Sequence, residues 1–122
     1  MQRIMLKSKI HRTTITGKQI EYEGSISLDA DLLDSADILP GEQVHVLNLN
    51  NGSRFVTYTI SAPHGSGTVM LNGPAARLGE IGDQVIILSY APYDETSARE
   101  LKARVVTVDE HNQVHMSAEG DQ

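Results

Sequence analysis

Cysteine and tryptophan are absent from the 122 residues, and phenylalanine occurs once. Without cysteine there is no disulfide framework, no zinc–thiolate site and no thiol nucleophile. Basic residues are scarce as well: ten Lys and Arg stand against sixteen Asp and Glu, a formal net charge of −6. That balance lacks the basic face that a phosphate backbone requires, so no nucleic-acid partner is expected. A small anionic substrate is still allowed, because one local cation can dominate a pocket. No apolar run reaches the ~20 residues that span a bilayer. The N-terminal Met1-Gln2-Arg3-Ile4-Met5-Leu6-Lys7 lacks the apolar core of a signal peptide. These absences predict a cytoplasmic protein of one domain over residues 1–122, of a size that often gains stability by oligomerising.

Familiar chemical motifs are missing too. The five histidines, His11, His45, His64, His111 and His115, are scattered. His111 and His115 have i, i+4 spacing, but Asn112 stands where a zinc-protease helix carries Glu, so no metal site is predicted. Gly65-Ser66-Gly67 does not extend to a dinucleotide fingerprint, because position 70 is Met.

What is present is a succession of short β-like segments divided by turn residues. Ile4 to Arg12 reads as a strand, and Ile20 to Leu28 alternates around Gly24-Ser25. Asp29 to Ala36 reads as a short helix with an acidic first turn, which suits the helix dipole. Gln43 to Leu49 and Ser53 to Ile60 flank Asn50-Asn51-Gly52, a strong hairpin signal. Thr68 to Leu71 is a strand ending at Asn72-Gly73-Pro74, with a helical turn over Ala75 to Leu78. Gln84 to Tyr90 is a buried strand, Pro92 to Lys102 is polar and helical, and Val105 to Val108 is a late strand. Residues 109–122 form a polar, flexible tail with a short strand near Val114. Gly41-Glu42-Gln43-Val44-His45-Val46 recurs as Gly82-Asp83-Gln84-Val85-Ile86-Ile87. Two copies fit a barrel of two pseudo-symmetric halves, and closure removes exposed strand edges. The fold class is therefore mainly β, a small closed barrel with short helices.

The residue pair with reactive potential is Gly24-Ser25. It interrupts a strand-like stretch where Gly is unfavourable, which fits a β-bulge. It also fits self-cleavage. Glycine leaves its carbonyl unshielded and tolerates a strained backbone, and the Ser25 hydroxyl can attack that carbonyl. The amide becomes an ester, β-elimination leaves dehydroalanine, and hydrolysis yields a pyruvoyl group, nucleophilic chemistry performed on the protein itself. In a strand over Arg54-Phe55-Val56-Thr57-Tyr58, Arg54 and Tyr58 share a face and Thr57 takes the other. Arg54 suits a carboxylate through its two-pronged fork, or it is a solvated strand charge. Tyr58 can donate a proton. Lys9 is either part of a solvated basic strand or a second cation for a dianionic substrate. Asn72-Gly73-Pro74-Ala75 is a turn whose free N–H groups suit an anion.

Together these segments resemble the aspartate 1-decarboxylase family. The resemblance runs from Met5 to Tyr90. It is carried by Lys9-Ile10-His11, Tyr22-Glu23-Gly24-Ser25, Asn51 to Tyr58, Asn72-Gly73-Pro74-Ala75-Ala76 and Gly82 to Ile87, in that order and spacing. Leu47, Ile26 and Pro74 depart from the commonest pattern, which bears on pocket shape and cleavage rate. The resemblance implies a double-psi β-barrel and a homotetramer with active sites between subunits. It also implies a zymogen that cuts autocatalytically between Gly24 and Ser25, unaided or with a maturation factor. The products are a β-chain of residues 1–24 and an α-chain of residues 25–122 capped by pyruvoyl. On this resemblance Ser25 supplies the pyruvoyl that forms a Schiff base with L-aspartate, and Tyr58 is the proton donor. Thr57 assists cleavage and contacts substrate, Arg54 and Lys9 meet carboxylates, and Asn72, Gly73, Pro74 and Ala75 bind substrate. The implied reaction is a lyase step giving β-alanine and CO2, which feeds pantothenate and coenzyme A biosynthesis. The alternatives are a pyruvoyl decarboxylase for another amino acid and a non-enzymatic barrel module.

Overall fold

A computed structural model describes residues 1–119. Nine strands and three short helical segments follow one another as β1 (Gln2–Thr14), β2 (Gly17–Gln19), β3 (Ser25–Asp29), α1 (Ala30–Ala36), β4 (Gln43–Asn48), β5 (Arg54–Ala62), β6 (Val69–Asn72), a 3₁₀ turn (Gly73–Leu78), β7 (Gln84–Asp94), α2 (Glu95–Glu100), β8 (Arg104–Val108) and β9 (Val114–Glu119). The strands lie in the order β2-β6-β3-β5-β4-β7-β1-β8-β9. β1 and β2 are nearly continuous in the chain, and between them Thr16 N–H donates to Val69 O at 2.8 Å. The β1–β2 stretch thus meets β7 on one side and β6 on the other, and the sheet closes on itself as a double-psi β-barrel. β8 and β9 extend the sheet beyond the ring.

The barrel is closed because its strands offer one apolar face. Val44 and Val46 of β4, Val85 and Ile87 of β7, and Ile26 and Leu28 of β3 are all fully buried. They pack with Ile10, Ile15, Val69 and Leu71 into one core. Burying each such side chain contributes about 1.5–3 kcal/mol. α1 seals one end with Leu32, Leu33 and Ala36. Its start is fixed by Asp29, whose side chain accepts from Asp31 N–H at 2.8 Å, and its end by Asp37 in the left-handed region at φ 55°.

The pseudo-symmetry read from the repeated hexapeptide is present as a repeated hydrogen-bond pair. Gly41 N–H donates to Thr59 O and Thr59 N–H to Glu42 O. In the other half Gly82 N–H donates to Ile15 O and Ile15 N–H to Asp83 O. β3 and β6 meet antiparallel between the halves, with Ser25 opposite Asn72 and Leu28 opposite Val69.

Two sequence expectations are corrected. Ile20 to Leu28 is not one strand: residues 20–24 form a turn, and β3 begins at Ser25. Gly24 is therefore the last residue before a strand and not a bulge within one. The helix expected from Pro92 is shorter, because Pro92, Tyr93 and Asp94 still pair with Ile4, Arg3 and Gln2 of β1. α2 starts only where Asp94 can cap it, accepting from Ser97 N–H at 2.7 Å. In the polar C-terminal segment β9 pairs antiparallel with β8, while residues 120–122 of the expected tail lie outside the described residues.

Candidate active site

Ser25 opens β3 and is fully buried. Its Oγ sits between two partners, accepting from Asn72 Nδ2 at 2.9 Å and donating to Glu23 O at 3.0 Å. Asn72 is directly opposite on β6, and its Nδ2 also donates to Ser27 Oγ at 2.9 Å. Ser25 and Ser27 share a strand face, which is why one amide reaches both. The Asn72 Oδ1 atom is buried without a hydrogen-bond partner. A buried acceptor of this kind costs free energy unless a water or ligand meets it.

Gly73 follows Asn72 with φ 62°, and a Cβ there would lie 2.5 Å from Tyr22 O and 2.8 Å from Gly24 N. Only glycine allows the turn over residues 20–24 to rest so close to the 3₁₀ turn. Gly24, Thr57, Pro74 and Ala75 then line one cavity of about 250 Å³, together with Phe55 and Val56. The candidate residues Gly24, Ser25, Thr57, Asn72, Gly73, Pro74 and Ala75 thus converge on the Gly24–Ser25 bond.

Tyr58 reaches the same turn differently, donating from its hydroxyl to Glu23 Oε2 at 3.3 Å. Partial desolvation, then the charge of Glu23 and this hydrogen bond, hold the phenol above its ordinary pKa, so it keeps its proton at neutral pH. Alternation puts Thr57 and Tyr58 on opposite strand faces, and they meet the turn differently: Thr57 lines the cavity at Gly24, and Tyr58 bonds Glu23.

Arg54 and Lys9 are not brought to the bond within one chain. Arg54 lines a separate cavity of about 630 Å³ on the outer sheet face, with Ile4, Gln43, His45 and Tyr90. Its Nη2 is 3.5 Å from His45 Nδ1, and His45 meets the Tyr90 ring edge-on. Lys9 lies opposite Leu88, which lies opposite His45, so both cations belong to the same face. Exposed Ile4 and Val56 share this surface.

Sequence reasoning passed over three residues near these groups. Glu23 was part of a recognised segment but had no role. His45 is found only from cross-strand register, being opposite Val56 of β5. His11 adjoins a register shift between Ile10 and Thr13, where Arg12 takes φ 59°. Its Nδ1 is buried without a partner. Burial, then the charges of Lys9 and Arg12, pull its pKa down, so the ring is neutral at pH 7.

Comparison with known proteins bears on this geometry. The family model described as aspartate decarboxylase matches residues 1–115. The chain is 54% identical to an aspartate 1-decarboxylase of Thermoanaerobacter pseudethanolicus over 112 residues, covering 92% of this chain and 96% of that one. It is 52% identical to an aspartate 1-decarboxylase of Maricaulis maris over 114 residues, covering 93% and 94%. It is 54% identical to an aspartate 1-decarboxylase 2 of Gloeobacter violaceus over 122 residues, covering 98% of each. With a closed barrel, a buried serine directly after a glycine and this coverage, the chain belongs to the aspartate decarboxylase family.

Proposed function

We propose that the chain is a carboxy-lyase that converts L-aspartate to β-alanine and CO2, supplying β-alanine for pantothenate, by means of a pyruvoyl group made from Ser25. The observation that carries this reading is the Ser25 hydroxyl, buried beside the Gly24 carbonyl and held between Asn72 and Glu23. The donor to Glu23 O fixes the hydroxyl close to its own peptide bond, and a buried site excludes competing water. Attack moves the Gly24 acyl group from nitrogen to Oγ. Elimination then breaks the Cβ–Oγ bond and releases residues 1–24 with a free carboxylate. Water converts the remaining enamine to a ketone with loss of ammonia. The residues that would hold this ketone are Asn72, opposite position 25 on β6, with Thr57 and Ala75 in the cavity at Gly24.

Once formed, the ketone supplies an electron sink for decarboxylation of an amine bound to it. The chain supplies the rest. Tyr58, protonated at neutral pH, gives a proton to the substrate α-carbon. The N–H groups beyond Gly73 and the Thr57 hydroxyl hold the substrate. Arg54 and Lys9 pair with carboxylates and fix orientation, which removes the entropic part of the barrier. Because Arg54 lines a cavity separate from the one at Gly24, and Lys9 shares its sheet face, the reading includes a homotetramer whose sites combine the cut end of one subunit with the outer face of another. The exposed Ile4 and Val56 on that face favour such burial. Among the described residues no helix is long and apolar enough to cross a membrane, and the reading places the enzyme in the cytoplasm.

Intact-mass analysis of purified protein, alone and after incubation in host extract, tests the cut. Borohydride reduction with L-aspartate and with other amino acids tests the ketone and the substrate. The expected result is a C-terminal piece starting at position 25 that gains mass with reductant and aspartate. A protein that stays full length under both conditions would overturn the reading, and an adduct formed only with another amino acid would overturn the substrate.

A further inference from the structure

Decarboxylation of aspartate draws one proton from solvent on every turnover, because a singly negative substrate becomes neutral β-alanine. If Tyr58 gives that proton, it is left as tyrosinate and needs the proton back. Glu23 is exposed to solvent, and its Oε2 is 3.3 Å from the Tyr58 hydroxyl. No other side-chain hydrogen bond to that hydroxyl is present among the described residues. The turn presents Glu23 and Tyr22 to Tyr58. β4 places neutral Gln43 opposite it, and Arg54 on its own strand is turned to His45. Among the described residues Glu23 is thus the one acid hydrogen-bonded to the Tyr58 hydroxyl, and it is open to solvent. The cut falls one residue beyond Glu23, so this side chain stays joined to β2 at the end of the N-terminal piece.

We propose that Glu23 is the positioning and proton-return residue of Tyr58, fixing its hydroxyl in the mature site and handing it a solvent proton after each turnover. This rests on the reading of Tyr58 as proton donor. The exchange balances without oxidant or reductant. The Tyr58 O–H bond breaks as the α-carbon gains its C–H bond. Glu23 takes a proton from water, passes it to the phenolate oxygen and returns to carboxylate.

The test uses the cut enzyme, with turnover counted per cut, ketone-capped chain by intact mass so that slow maturation does not mimic a slow reaction. Glu23→Ala is expected to lose about tenfold or more in kcat with KM nearly unchanged, as for loss of an acid–base group. Added formate or acetate should restore much of that rate while leaving wild type unaffected. A readout apart from activity comes from uncut Ser25→Ala chains, with Tyr58 ionisation read as the absorbance difference from the matching Tyr58→Phe chain. There Glu23→Gln should bring Tyr58 ionisation to lower pH. Wild-type kcat in Glu23→Ala, a loss indifferent to carboxylate buffers, or an unmoved Tyr58 titration would each overturn the proposal. Tyr58→Phe, expected to cut normally and lose most turnover, separates the two levels. If it turns over at the wild-type rate, the underlying role of Tyr58 fails. If it is dead while Glu23→Ala is unimpaired, only the role of Glu23 fails.

Discussion

The loops before the two central strands, residues 20–24 ahead of β3 and residues 63–68 ahead of β6, sit in corresponding places in the two halves and are held very differently. The loop before β6 meets Asp29, at the end of β3. That carboxylate accepts from Gly65 N–H at 3.0 Å and Gly67 N–H at 2.8 Å, while Asp29 N–H donates to Thr68 O at 2.9 Å. Asn112 Nδ2 reaches Gly67 O at 2.9 Å, and His64 reaches Asp31 at 2.7 Å. The loop before β3 meets Gly73, just past the end of β6, which offers no side chain at all. Its ties are Tyr22 N–H to Gln19 O at 3.3 Å, Tyr58 to Glu23 at 3.3 Å and the Ser25 hydroxyl itself. One architecture thus carries a carboxylate clamp on one side and a bare glycine on the other. The unclamped side holds the bond that the proposed function breaks. A peptide bond that must reach a tetrahedral geometry needs freedom in its own backbone, and hydrogen bonds that pin the loop would oppose it.

The sharpest way to break this contrast is Gly73→Ala. The new Cβ falls within 2.5 Å of Tyr22 O in a backbone at φ 62°. Strain of this kind costs about 1–3 kcal/mol, and the weakly tied turn is the part that yields. Because a displacement of about 1 Å in a reacting pair costs on the order of a hundredfold in rate, uncut chain should accumulate. Gel and mass analysis over time would show it. Cutting at the wild-type rate would mean that the close approach of Gly73 does not set the geometry of the bond.

Asp29→Ala attacks the clamped side. It removes an N-cap, worth about 1 kcal/mol, and leaves the buried Gly67 N–H without its acceptor, which costs about 1–3 kcal/mol more. The expected loss is about 2–4 kcal/mol in urea or thermal unfolding, with cutting at Gly24–Ser25 little changed in the folded fraction. If the variant instead stopped cutting while remaining stable, the two loops would not be mechanically separate.

How much of this contrast the sequence carries depends on range. The closed β architecture, the short helix after Asp29 and the repeat at Gly41 and Gly82 are legible because they rest on local patterns: Val44 and Val46 alternating inward, and turn residues at fixed points. Ser25, Thr57, Asn72 and Gly73 stand out from their own chemistry and spacing, and the resemblance adds the roles expected of them. The strand ends were misjudged where partners far along the chain decide them. Pro92 to Asp94 stay in β7 because Ile4, Arg3 and Gln2 lie opposite, and Ile20 to Leu28 breaks because the turn packs on Gly73. The contact of Glu23 with Tyr58 and the grip of Asp29 on Gly65 and Gly67 join residues more than thirty positions apart. No periodicity encodes such pairs; only the folded barrel does.

The smallest effect sharpens the clamped side further. His64 donates its ring proton toward Asp31. That hydrogen bond first, and then the charges of Asp31, Asp34 and Asp29, hold its pKa above the ordinary value, against some desolvation. A folded-state pKa above the unfolded one means that the protonated ring favours the fold. The contribution is fully present below the ordinary histidine value of about 6.5 and is lost as pH rises through the raised value. Both partners are largely exposed, at 68% and 49% of their side chains, so solvent and salt screen the pair and the effect is small. Wild type and His64→Ala should therefore differ in unfolding midpoint at about pH 5.5 and converge near pH 8.5. The gap should shrink in high salt. A gap that grew with pH would show that His64 holds the loop by packing, and the clamp would then rest on Asp29 and Asn112 alone.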